Sequence, residues 1–240
     1  MTTLADIFEQ LTYGELSQVK IGGLDLRALQ EEVRPEHYKH VMAYINLGLK
    51  ELYKRFFLSS KQLIVRIYDH IEVYKLDSRY AITNTEPTDC PKYIMDSPVD
   101  PYKDDLLKIE QIYNSCGINV PLNDLTDVRS VFTPQYNTIQ VPCPSKYDIM
   151  SVHYRASHPS LEWKAGMNPK DIEVLLPEAL MEPLLFYIAA RFYTALDTDQ
   201  GQQGSVYTNK FEASCLVARG LGYQVTPEYG NLKLDLQGWV

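Results

Sequence analysis

Long apolar runs are missing from this 240-residue chain. The densest, Leu184 to Ala190, is far shorter than the roughly 20 residues that a bilayer-spanning helix needs, so no membrane partner is expected. The start, Met1 to Phe8, carries Asp6 where a secretory signal carries cations, and the chain is expected to fold in a cytosol. Cysteine is scarce as well. Cys90, Cys116, Cys143 and Cys215 stand far apart without a CxxC pair, which argues against a zinc ribbon or a redox motif and for free thiols.

Reactive signatures are equally thin. A phosphate-cradling loop needs several glycines ahead of a helix, whereas Gly220-Leu-Gly222 offers two at a helix end and reads as a C-cap. There is no GxSxG elbow and no HExxH pair. His37 and His40 share a helix face but lack an acidic or thiolate companion, and His70, His153 and His158 fall in or beside strands, where local hydrogen bonding accounts for them. No catalytic residue, metal or cofactor is therefore expected. Positive charge is short too: a net charge of −8 with no basic cluster repels phosphate and disfavours a groove-reading nucleic-acid binder.

What is present points to a folded, sociable protein. The hydrophobic fraction of 45% and charged fraction of 22% suit an ordinary globular chain. Eighteen tyrosines are compatible with interfaces, since each offers a large apolar face and a polar tip, or with an ordinary β-rich core. Leu4, Ile7, Phe8 and Leu11 follow helical spacing behind Thr2 or Thr3, either of which can cap. After Gly22-Gly23, Pro35 opens a longer amphipathic helix predicted to about Phe57, carried by Tyr38, Val41, Met42, Ile45, Leu49, Leu52, Tyr53 and Phe56.

The period then changes to two. Leu63, Val65, Ile67, Ile71 and Val73 alternate with polar or aromatic residues, with Asp69 marking a bend or hairpin. Further strands are predicted at Arg79–Thr83, Leu106–Tyr113, Thr138–Val141 and Tyr147–Tyr154. Helical pattern returns at Pro177, with Pro183 expected to kink the helix or delay its start. Between Leu180 and Tyr193 nearly every residue is apolar, so burial on more than one side is expected, and Leu180, Leu184, Tyr187, Ile188 and Phe192 are the candidate contacts between copies. Asp197–Gly204 reads as a turn before a last helix ending at Gly220 or Gly222.

The expected fold is α+β: a helical bundle from both chain ends, residues 1–60 and 173–222, with an inserted β-rich domain at 61–172 and an extended arm at 223–240. Tyr223, Tyr229, Leu232, Leu234, Leu236 and Trp239 are the arm's apolar contacts. The acidic stretch carrying Glu86, Asp89, Asp96, Asp100, Asp104 and Asp105 is the candidate channel lining or docking loop; its carboxylates read as a solvated loop in preference to an acid-base pair.

Three stretches carry a family likeness: Thr3-Leu-Ala-Asp-Ile-Phe with Leu11-Thr-Tyr-Gly-Glu-Leu-Ser, Ala43-Tyr-Ile-Asn-Leu-Gly-Leu-Lys-Glu-Leu-Tyr-Lys-Arg-Phe, and Leu176-Pro-Glu-Ala-Leu-Met-Glu-Pro-Leu-Leu-Phe-Tyr-Ile-Ala-Ala-Arg. Together they resemble head-to-tail adaptor (connector) proteins of short-tailed bacteriophages, with Pro183 a departure from the uninterrupted helix expected there. The resemblance implies a structural virion protein of the neck, assembled in the host bacterial cytoplasm. It also implies a homododecameric, twelve-membered ring under the portal, with the arm reaching up to the portal protein and tail nozzle or fibre proteins docking below. The resemblance further implies that DNA passes through without specific contact during genome packaging and ejection. Two alternatives stay open: a tail-tube, nozzle or tail-completion protein, and a small soluble hydrolase whose residues meet only in three dimensions.

Overall fold

A computed structural model describes residues 2–17, 39–88, 91–144, 148–164, 166–195 and 201–223. The fold is mixed: helices toward both ends of the chain, antiparallel strands between, hence α+β. A two-residue strand, β1 (Thr2–Thr3), leads into α1 (Leu4–Tyr13), whose start is a full capping box. Thr3 Oγ1 accepts from the Asp6 amide at 3.3 Å, and Asp6 Oδ2 accepts from the Thr3 amide at 2.7 Å, so two donors that no helical turn reaches are satisfied. These bonds from Thr3 hold the Asp6 carboxyl below its ordinary pKa. α2 (Lys39–Arg55) buries Val41, Ile45, Leu49 and Leu52 on one stripe, as its spacing predicts; the expected start at Pro35 lies outside the described residues.

The strands form two sheets and a short pair. β2 (Ser60–Arg66), β8 (Ile149–Ala156), β4 (Leu106–Asn114) and β5 (Asn119–Val120) lie in that order in an antiparallel sheet, with Leu63 opposite Val152 and Val65 opposite Met150. β3 (Val73–Lys75), β7 (Thr138–Gln140) and β6 (Phe132–Gln135) form the second. β1 pairs with β9 (Glu173–Val174), which ties the start of the chain to the segment before the third helix.

Several strand expectations need correction. The alternation from Leu63 does not run through to Val73, because Tyr68 and Ile71 close a turn and the phase flips beyond it. Tyr74 is fully buried while Val73 is 53% exposed. The predicted strand at Arg79–Thr83 is a 3₁₀ turn, Ser78–Tyr80, because Asp77 caps the Arg79 amide and draws the chain into a turn. β6 contains Pro134 and was not anticipated; an edge position tolerates the missing donor. In β4 two bulges change the period, so Leu106, Ile109 and Ile112, three apart, all face the core.

Near Pro177 the chain makes a 3₁₀ turn, Glu178–Leu180, and then α3 (Met181–Ala195). Pro183 delays the α-helix and does not kink it: it falls in the first turn, where its missing N–H has no helical partner to lose. α4 (Gly201–Gly220) runs antiparallel to α3, with Tyr207 stacked on Tyr193 at 5.2 Å and Tyr187 edge-on to Phe211. Gly201–Gly204, expected in a turn, is helical. A Cβ at Gly204 would stand 2.4 Å from Thr194 Oγ1 and 3.0 Å from the Thr194 amide, so the helices approach where only glycine fits. α4 ends as the sequence suggests, with Gly222 at φ +90° and the Tyr223 amide reaching back to Ala218 O.

Two apolar cores result. One joins α1, α2, α3 and α4 through Phe8, Ile45, Leu49, Leu184, Ile188 and Phe211. The other lies among the strands around Val65, Tyr74, Ile94, Ile112, Val131 and Val152. Leu161, Trp163 and Ile172, grouped with the strands by sequence, pack instead against the helical core. Asn46 holds that segment, exchanging hydrogen bonds with Leu161 at 2.8 and 3.0 Å.

Candidate functional site

The apolar positions of α3 have cover within the chain itself. Leu180, Leu184 and Ile188 are fully buried and Phe192 nearly so, all within the core shared with α1, α2 and α4. The expectation that neighbouring copies cover them is therefore corrected: three helices of the same chain surround α3, and burial on several sides needs no partner. Tyr187 alone of the five is half-buried, with the Arg191 guanidinium over its ring at 5.1 Å and donating to its hydroxyl.

Uncovered apolar side chains gather along α4, among other places. Its inner face carries Tyr207, Phe211, Cys215 and Ala218, but Val206, Leu216 and Val217, with Leu221 in the turn just past its end, are 52–67% exposed. Ordinary surface helices put charge there. In sequence Tyr207, Phe211, Ser214, Cys215, Ala218 and Leu221 mark the apolar face of this helix; of these Leu221 is exposed and not in the core.

The acidic stretch divides into structural and solvent-facing groups. Asp105 accepts from Lys61 Nζ at 2.6 Å and from the Tyr154 hydroxyl at 2.9 Å. Asp104, at φ +55°, accepts from the Ser78 amide at 2.7 Å and from its hydroxyl. Burial raises the Asp96 pKa, but hydrogen bonds from the Thr83 hydroxyl and amide and from the Tyr102 amide outweigh it and hold the carboxyl below its ordinary value. Glu86 and Asp100 face solvent, and Asp89 lies outside the described residues. Asp96, Asp100 and Asp105 border a cleft of about 270 Å³ with Lys61, Tyr102 and Tyr154. Burial, then the nearby carboxylates, push both phenols well above the ordinary tyrosine range, so they stay protonated donors.

Of the arm, only Tyr223 is described. It lies half-buried, edge-on to Phe56 at 6.5 Å, and so closes the helical core. Tyr229, Leu232, Leu234, Leu236 and Trp239 lie outside the described residues. Cys116, Cys143 and Cys215 are free thiols, and among the described residues no three His, Cys, Asp or Glu side chains converge as metal ligands.

The seam between the two cores is built around residues that sequence reading passed over. Arg155, on β8, is buried and pairs with Glu110 on β4 at 2.8 Å. It also donates to Lys54 O at 3.0 Å and lies over the Phe57 ring. One side chain therefore caps the end of α2 and anchors it to the sheet. Its partners are 45 and 101 residues away, beyond any local pattern.

A second exposed feature is the loop 122–130. Leu125 and Val128 are 90% and 75% exposed, yet the backbone around them is pinned. Asp124 accepts from the Thr126 amide and hydroxyl, Asp127 from the Arg129 amide, and Asn123 exchanges bonds with Thr133.

No protein-family model matches this sequence, and no curated protein matches it. No helix among the described residues is long and apolar enough to cross a membrane.

Proposed function

We propose that this chain is a non-enzymatic structural protein of a tailed-phage virion, an adaptor whose copies form a ring, twelve in the resemblance, between the portal and the tail. In this reading both chain ends build a helical bundle, the strand segment is an insertion into it, and residues 223–240 are an arm that reaches the portal. The Glu86–Asp105 stretch turns its free carboxylates toward passing DNA or toward the nozzle or fibre protein below, where repulsion of phosphate keeps the duplex from sticking.

The observation that carries the reading is the outer face of α4, where three aliphatic side chains, joined by Leu221 just past the helix end, stand in solvent while the inner face is already used. Apolar surface concentrated in this way marks a face for protein contact. The test is electron cryomicroscopy of the full chain mixed with its portal. A ring seated on the portal exit is the expected result, and truncation of Gln224–Val240 should abolish attachment while leaving the fold intact. A chain that never joins portal-bearing heads defeats the proposal.

A further inference from the structure

The surface charges of α4 distinguish its outer face from the rest of an acidic chain. Its one anion, Glu212, is held by Arg55 through two hydrogen bonds of 2.6 and 2.8 Å. The charges left are Lys210, placed over the Tyr207 ring at 4.7 Å, and Arg219. The helix and the turn that ends it therefore present Val206, Leu216, Val217 and Leu221 flanked by cations.

The same chain carries a surface of opposite sign. Between α1 and the start of α3 lies an open groove of about 620 Å³. Leu176, Met181 and Leu185 give it an apolar floor, and Asp6, Glu178 and Glu182 give it an acidic rim. With a net charge of −8, two copies repel one another at most orientations, and close approach is favoured only where opposite signs and apolar areas coincide. The α4 face and this groove meet that condition.

We infer that the outer face of α4 docks into the α1–α3 groove of a second copy of this chain, with Lys210 and Arg219 against the acidic rim. This rests on the proposed assembly and deepens it by naming the two surfaces. Because the surfaces differ, the contact is heterologous: every copy keeps one free face and one free groove, and repetition closes a ring if the rotation allows.

The pairing predicts an asymmetry under mutation. Val217→Asp with Leu221→Asp spoils the face, and Glu178→Lys with Glu182→Lys spoils the groove; all four positions are on the surface or half-open, and circular dichroism verifies the fold. In sedimentation velocity the unaltered chain is expected to self-associate with rising concentration, less so at high salt, while each double variant stays monomeric. Mixed in equal amounts, the two variants should give a one-to-one dimer and stop, since one supplies the sound groove and the other the sound face. A monomeric unaltered chain, variants that still associate, or a mixture that stays monomeric overturns the inference. Rings that form on the portal from either variant also overturn it but leave the adaptor reading standing. Self-association through this pair without portal attachment sinks the adaptor reading alone.

Discussion

His158 is buried at the seam, edge-on to Tyr53 at 5.1 Å, with Nδ1 hydrogen-bonded to Pro159 O and Nε2 meeting no hydrogen-bond partner among the described residues. Burial lowers its pKa below the ordinary histidine value of 6.5, an effect the Pro159 carbonyl only partly opposes. The unfolded chain thus takes up a proton that the folded chain refuses. That stability is complete above pH 6.5 and is lost as pH falls toward the folded pKa. His153 shifts the same way through burial. The lowered carboxylates Asp6, Asp77 and Asp96 act in a separate window, beginning only as pH falls below about 3.8. His158→Phe keeps the edge-on contact with Tyr53 and removes the titration. Urea midpoints measured from about pH 7 to about pH 5 should fall for the unaltered chain and fall less for this variant; equal slopes would show that His158 carries none of the effect.

At the level of elements, what the sequence discloses is what a short window can hold. A capping threonine ahead of Leu4 announces the start of α1, the apolar stripe of α2 is regular, and β7 and β8 lie close to their predicted places, β8 because Met150, Val152 and Tyr154 are buried at alternate positions. The failures have long-range causes. β3 reverses phase because a turn intervenes, β4 reads as period three because bulges insert residues, and the apolar density of α3 points to other copies when read locally because two of the helices that cover it, α1 and α2, come from distant sequence. The α2–α3 contact has its own marker, Gly48, where a Cβ would lie 2.6 Å from Leu184 Cδ1 and 3.0 Å from Tyr187 Cδ1. A larger residue gains up to about 1 kcal/mol of helix propensity over glycine, but overpacking costs about 1–3 kcal/mol. Gly48→Val, which gains little propensity, should therefore destabilise by about 2 kcal/mol, seen as a Tm lower by about 4–8 °C for a chain of this size. A Tm unchanged or raised would mean that α3 yields without strain.

For the whole molecule the question is whether two cores behave as one body. The pair Arg155–Glu110 is buried on both sides, and Glu110 is also reached by Lys108 at 2.8 Å, whose own side chain is 62% exposed. Such a pair adds little over a well-packed apolar substitute, but removing one member strands the other charge, at a cost of about 3–5 kcal/mol. Lys108 offsets part of that cost, which places the expected loss near the lower end, about 3 kcal/mol. Arg155→Met keeps an apolar stem over Phe57 while deleting the charge, the bond to Lys54 O and the link from sheet to helix. Calorimetry of the unaltered chain should then show one transition, because the seam makes each core's loss expose the other. The variant should show the strand core melting apart from the helical core at a lower temperature. A single transition at an unchanged midpoint would mean that the two cores stay coupled without Arg155.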